Sequence, residues 1–147
     1  MANDSTLRRI QKRVKQLAAV VHAPDADLPT FGSTEDGARP HIEVVGELPY
    51  YVVVERGQEL VRDAFVDEDA LLERIFTAVT FSMACSFEVR NRIDGEDCRR
   101  AIFARQLELL ALLDPNWSTR RRAQMLELLL LHPFSDGKEP RDQLDPP

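Results

Sequence analysis

The segment His41–Glu59, HIEVVGELPYYVVVERGQE, restricts what this chain can fold into more than any other stretch. It is the one place where β-branched and aromatic residues dominate, and such residues suit a pleated, half-buried surface. Its apolar run closes on the charged pair Glu55-Arg56 and turns at Gly57. The chain that follows the β-rich block reads as helix. One short β-rich block with helical periods on either side points to an α+β fold, with sheet and helices kept apart along the sequence.

Within the block, Ile42–Val45 and Tyr50–Glu55 read as strands joined through Glu47-Leu48-Pro49, and Glu59–Phe65 as a weaker third. The expected sheet is a three-stranded antiparallel meander with one face on helices and the other wetter. Before it, Leu7, Ile10, Val14, Leu17 and Val21 recur at helical spacing, so Ser5–Val21 is expected to be an amphipathic helix with Ser5 as N-cap and Pro24 as its stop. His22–Pro40 reads as a loop, with LPTFG at 28–32 hinting that part of it packs down. After the sheet come three packed helices: from Asp67 or Asp69 to about Arg92, from Glu96 to Leu113, and from Trp117 to Leu131. The 147 residues suit one domain, expected over 1–134, with 135–147 a mobile polar tail.

Charge is unevenly placed. Residues 1–22 carry five basic and one acidic side chain, while 23–69 carry twelve acidic and three basic; the whole chain is at −6. An acidic central region disfavours the phosphate backbone of nucleic acid and suits a basic partner. A solvated face is the plainer reading of the same charges. The N-terminus lacks a signal peptide's apolar stretch, and no run approaches the ~20 apolar residues of a membrane span. Cytoplasmic location, with no membrane partner, is the expectation. Cys85 and Cys98 have no CxxC spacing and no nearby histidine, so buried reduced thiols are expected rather than a zinc site or disulfide.

No catalytic or metal motif emerges. His22, His41 and His132 are scattered, and no carboxylate pair has the apolar flanking that raises a pKa. Glu55-Arg56-Gly57 can sit at the mouth of a groove or simply end a strand; the strand-end reading is simpler. Arg99-Arg100 can grip an anion through forked guanidinium donors. Bracing is the commoner use, one of the pair bonding Glu96, Asp97 or a strand carboxylate, because neighbours about 100° apart on a helix rarely face one partner. Arg120-Arg121-Arg122 reads as a solvated face, and Trp117 as the cap of a core between two helices.

Taken in order, LPTFG (28–32), PHIEV (40–44), YYVVVERGQE (50–59), DALLERIFTAVTFSMA (69–84), CRRAIFARQLELL (98–110) and HPF (132–134) resemble the immunity protein 63 family, proposed immunity proteins of bacterial polymorphic toxin systems. The resemblance runs over roughly residues 25–136. It implies a protein made beside a toxin that neutralises it by tight, non-covalent binding and active-site occlusion, with no cofactor and no catalysis. Glu55, Arg56, Gly57, Arg99, Arg100, Gln106 and Trp117 match the family's more constant positions, and all but Glu55 are expected to be structural. Cys98 stands where an aromatic is expected, and Ser135 where an acid is expected, which weakens a carboxylate role near Asp136.

The leading expectation is therefore an immunity protein bound to a cognate toxin domain, a basic and nuclease-like one by charge. The expected contact surface is Asp25, Asp27, Glu35, Asp36, Glu43, Glu47 and Glu55, with no metal and no catalytic residue. The alternative is a regulatory or adaptor protein-binding module outside any toxin system. An enzyme using His41, Glu55 and Arg56 on one rim is the remaining class; a deep pocket joining those three would favour it.

Overall fold

The computed structural model describes residues 2–137. In order come α1 (Ala2–Val21), a 3-10 turn (Asp25–Asp27), β1 (Thr30–Phe31), β2 (His41–Val45), β3 (Leu48–Glu55), β4 (Gln58–Ala64), α2 (Glu68–Arg90), α3 (Cys98–Leu113) and α4 (Pro115–Leu131). This is an α+β protein with a mixed sheet of order β1-β2-β3-β4. It divides into two compact units, and the division falls inside α2 between Phe76 and Thr77.

In the first unit, α1 packs along β2, and Ile10, Val14, Ala18 and Val21 bury the stripe that their spacing marks. The helix already runs from Ala2, so Ser5 lies inside it and is not the N-cap. It ends at His22, which takes φ +55. The Ala23 N–H then donates to the Ala18 carbonyl at 2.9 Å and the His22 N–H to Ala19 at 3.4 Å. This left-handed closure satisfies end carbonyls before Pro24 is reached. Arg9 and Arg13 both hold Glu68 at 3.1 Å, tying α1 to the start of α2.

The meander is present, with two differences from expectation. First, the β2–β3 link is Gly46-Glu47, and Leu48 and Pro49 belong to β3, opposite Val45 and Val44. Gly46 at φ +66 allows a two-residue hairpin turn whose twist matches the strands. Pro49 is tolerated because its carbonyl, and so its N–H-less nitrogen, faces Phe65 just past the end of β4. Second, there is a fourth strand. Thr30-Phe31 pairs in parallel with His41-Ile42. The LPTFG segment therefore packs down as sheet, with Pro29 buried. Ile42, Tyr51 and Val52 are buried in the sheet, and Leu71, Leu72, Ile75 and Phe76 in the first turns of α2.

In the second unit α3 packs on α4. Cys98, Ile102, Phe103, Met125 and Ala84 form a core, against which Cys85, Leu107, Leu129 and Phe134 pack. Neither cysteine is in a disulfide, and burial pushes both thiols above the usual cysteine value. Asp114 closes α3 and also caps α4, accepting from the Asn116 N–H at 2.8 Å, with Pro115 in the first turn where its missing donor costs nothing. By length and composition alone α2 is long and apolar enough to cross a membrane, which the sequence reading had denied to every stretch. It also carries a buried carboxylate, Glu88, bonded by Arg92 through both oxygens at 3.0 Å, as suits a helix built into a protein core. Residues 138–147 of the expected tail lie outside the described residues. Its first three are fastened: Gly137 N–H donates to the Gly95 carbonyl, and Ser135 and Asp136 are held as described below.

Candidate binding surface

The β3–β4 turn is where sequence and geometry converge. Glu55 pairs with Gln58, leaving Arg56 and Gly57 as a two-residue loop at φ +53 and +75. Both positive angles are what a type I′ hairpin requires. Gly57 adopts its angle freely, whereas Arg56 does so at a cost of about 1 kcal/mol. The turn is held by the acidic loop. Asp36 accepts from the Gly57 N–H at 2.8 Å through its side chain and from the Arg56 N–H at 3.5 Å through its carbonyl. Ala38 N–H donates to Val54 at 3.0 Å, and Gly37 bridges to Glu55.

The loop is itself stapled by Arg39. Its guanidinium donates to the Leu28 carbonyl (2.9 Å), the Asp25 carbonyl (2.8 Å) and the Glu35 carboxylate (3.1 Å). The long segment before the sheet is thus tied at both ends rather than free. Sequence reasoning missed Arg39, because a guanidinium that bonds main-chain carbonyls eleven and fourteen residues away leaves no pattern of residue types.

The seven carboxylates do not form one patch. Asp36 and Glu55 come together at the hairpin end, with Glu35 next to Asp36 but paired to Arg39. Asp25 is exposed and Asp27 half-buried in the 3-10 turn. Glu43 is bonded by Arg62, and its carboxylate also lies 3.8 Å from the Nε2 of buried His41. Arg62 holds Glu59 as well, at 2.7 Å, which keeps that carboxyl below its usual range. Glu47 sits in the Gly46-Glu47 turn, at the other end of β3 from Glu55, a separation of roughly 26 Å at ~3.3 Å per residue.

Beside Glu55 lies a shallow depression of about 420 Å³ lined by Glu55, Arg56, Gln58 and Leu60. His41 is not among its walls; it is buried at the start of β2 with Nδ1 unpartnered. Among the described residues no ion pair or side-chain hydrogen bond engages Glu55 or Arg56.

In the second unit the arginines are already used. Asp97, whose side chain is fully buried, caps α3 by accepting from the Arg99 N–H at 3.0 Å, and accepts from the Ser135 N–H at 2.8 Å. Arg99 pairs with Asp97 at 2.8 Å and donates to the carbonyls of His132 (2.9 Å) and Pro133 (2.8 Å). Arg100 holds Asp136 at 2.8 Å, and Asp136 accepts from the Asp97 N–H. Both guanidinium groups lie over the Phe134 ring, at 5.5 and 4.2 Å. Arg99 braces the fold through Asp97, as expected, and Arg100 takes a different carboxylate, Asp136; residues 132–136 fold back across the α3 N-terminus and place only the Phe134 ring against both. Gln106 is fully buried; its amide donates to the Thr77 carbonyl at 2.9 Å and accepts from Arg121 at 3.3 Å. Trp117 is buried in the first turn of α4.

Fold and surface together describe a small α+β protein whose second unit spends Arg99 and Arg100 on its own carboxylates and carbonyls. The chain belongs to the immunity protein 63 family, whose model matches residues 49–127, more than half of it. Its role is accordingly that of an immunity protein, and membership implies a cognate toxin as partner. No curated protein and no solved structure matches the chain. The matched stretch holds Glu55, Arg56, Gly57, Arg99, Arg100, Gln106 and Trp117, whereas Asp25, Asp27, Glu35, Asp36, Glu43 and Glu47 lie before it.

Proposed function

We propose that the protein neutralises the toxin encoded beside it by tight, non-covalent binding that occludes the toxin's active site, acting in the cytoplasm and without catalysis of its own. Family membership over residues 49–127 carries this reading. The hairpin end supports it: the side chains of Glu55 and Arg56 are exposed and without a partner among the described residues, and Arg56 is kept in a strained backbone conformation. A strained backbone held by Asp36 while the side chain it carries stays exposed is a reason to look for function there. The mixed lining of the neighbouring depression suits a protein partner better than a small anion.

The partner is a basic domain, nuclease-like in charge. Twelve acidic against three basic side chains over residues 23–69 favour encounter with it, and desolvated contacts at the hairpin end set how slowly it leaves. Co-expression with the neighbouring toxin restores growth of a sensitive host, and the pair elutes as one complex on size exclusion. Absence of both rescue and complex overturns the reading.

A further inference from the structure

We propose that the free edge of β4 accepts an extended, basic segment of the toxin as a fifth strand. This rests on the immunity reading and specifies how the partner is held.

β4 is the terminal strand of the sheet, and every residue in it but the half-buried Val61 is exposed. Its inner neighbour β3 is the strand that holds buried Tyr51 and Val52, so the edge is backed by a firm layer. The direction of its free groups follows from the register. The Phe65 N–H donates inward to the Pro49 carbonyl at 2.9 Å, and Val61 and Asp63, in phase with it, pair with Val53 and Tyr51. Main-chain groups alternate sides along an antiparallel ladder. Those of Arg62 and Ala64 therefore point outward, away from β3.

Edge strands are commonly guarded by bulges, charge or proline. Here the irregularity is confined to the start of the strand. The register slips between Val53 and Val54, leaving Leu60 as the extra residue opposite them. From Val61 to Ala64 the ladder is regular and free of proline. Leu60, the bulged residue, is 55% exposed, and Val66, in the bend just after β4, is 95% exposed. Two exposed apolar side chains thus flank, in sequence, two main-chain positions left uncovered among the described residues. An added strand satisfies the outward N–H and C=O groups of Arg62 and Ala64, and a side chain beside the bulge meets Leu60.

The occupant's charge follows from the surroundings. Between Glu55 and Asp69 there are six acidic and two basic residues. Arg62 is already committed to Glu43 and Glu59, whereas Asp63 is exposed on the opposite face. A segment carrying Lys or Arg at alternate positions matches this edge, and an acidic one is repelled.

The test uses the full chain and the catalytically inactivated C-terminal domain of the toxin encoded beside it. Ala64→Pro removes an outward N–H and no bond to β3, so the fold survives it, while the ring blocks an incoming strand. The expected loss of toxin affinity is about 100-fold or more. Amide exchange in the wild-type complex, which needs no variant, is expected to slow at least about tenfold at Arg62 and Ala64 relative to the free protein. If the wild type forms the complex but these amides stay unprotected and Ala64→Pro binds within about threefold of it, edge pairing is overturned and the immunity reading stands. If the wild type forms no complex at all, both are overturned.

Discussion

The hairpin end of the first unit and the C-terminal clasp of the second are both built from arginines next to a tight turn or cap, yet they differ in what is left over. In the clasp, Arg99 and Arg100 spend their donors on Asp97, Asp136 and the carbonyls of His132 and Pro133. At the hairpin, the main chain of Arg56 and Gly57 is tied down by Asp36 while the side chains of Glu55 and Arg56 have no partner among the described residues. The lesson is that a charged motif's meaning lies in where its donors end, not in its residue types. A guanidinium consumed by its own main chain is scaffold; one displayed on a strained turn is available.

The largest effect that sharpens this contrast is expected in the clasp. Asp97→Ala strips α3 of its cap, leaves the Ser135 N–H unpaired and strands the mostly buried Arg99. Breaking such a pair costs about 3 kcal/mol, read as a lowered urea midpoint. Toxin affinity of the folded fraction should stay unchanged; a matching loss of affinity would break the division between scaffold and surface.

Acid probes the same clasp. Burial pushes the Asp97 carboxyl up, but bonds from Arg99 and from the Ser135 and Arg99 N–H groups outweigh it and leave it below its ordinary value. Arg100 holds Asp136 down likewise. The stability these carboxylates contribute is therefore fully present above the unfolded value of about 3.9 and is lost as pH falls through their lower folded values. The stability gap between wild type and Asp97→Asn should close as pH drops from about 5 to about 2, and a gap constant over that range would contradict it.

Smaller effects belong to the hairpin. A Cβ on Gly57 meets nothing within 4 Å, so Gly57→Ala pays only for its left-handed backbone, about 1 kcal/mol. Arg56→Asn places a residue that tolerates φ +53 better, and the protein should gain roughly 0.5 kcal/mol by thermal melting. Under the proposed function the same variant should bind toxin at least about fivefold more weakly. Equal binding would place Arg56 with the scaffold after all.

The helices were legible because apolar spacing is a local property. Ile10, Val14 and Val21 mark the buried stripe of α1 without knowledge of what covers it. Its start was misread because Ser5 resembles a cap in any sequence, while the true beginning at Ala2 carries no such signal. β1 escaped notice because two residues show no alternation and its parallel partner begins ten residues later. The β2–β3 turn was placed too late because Pro49 looks like a loop residue until the end of β4 explains its tolerance. Of the expected contact carboxylates, Glu55 ends β3 as its sequence suggests, but which other acids lie near it was invisible. Glu43 is lost to Arg62 through a cross-strand contact, and Glu47 is carried to the far end of β3.

By itself the sequence determined the α+β class, the helical stripes, the tight turn at Arg56-Gly57 and the family, since each depends on residue types at short or fixed spacing. Tertiary structure alone decided which charges are spent. Asp36 reaches Gly57 across 21 residues, Arg100 reaches Asp136 across 36, and Ser135 reaches Asp97 across 38. Hydrogen bonds at such separations are fixed by how the chain returns on itself, and no local pattern of residues encodes that return.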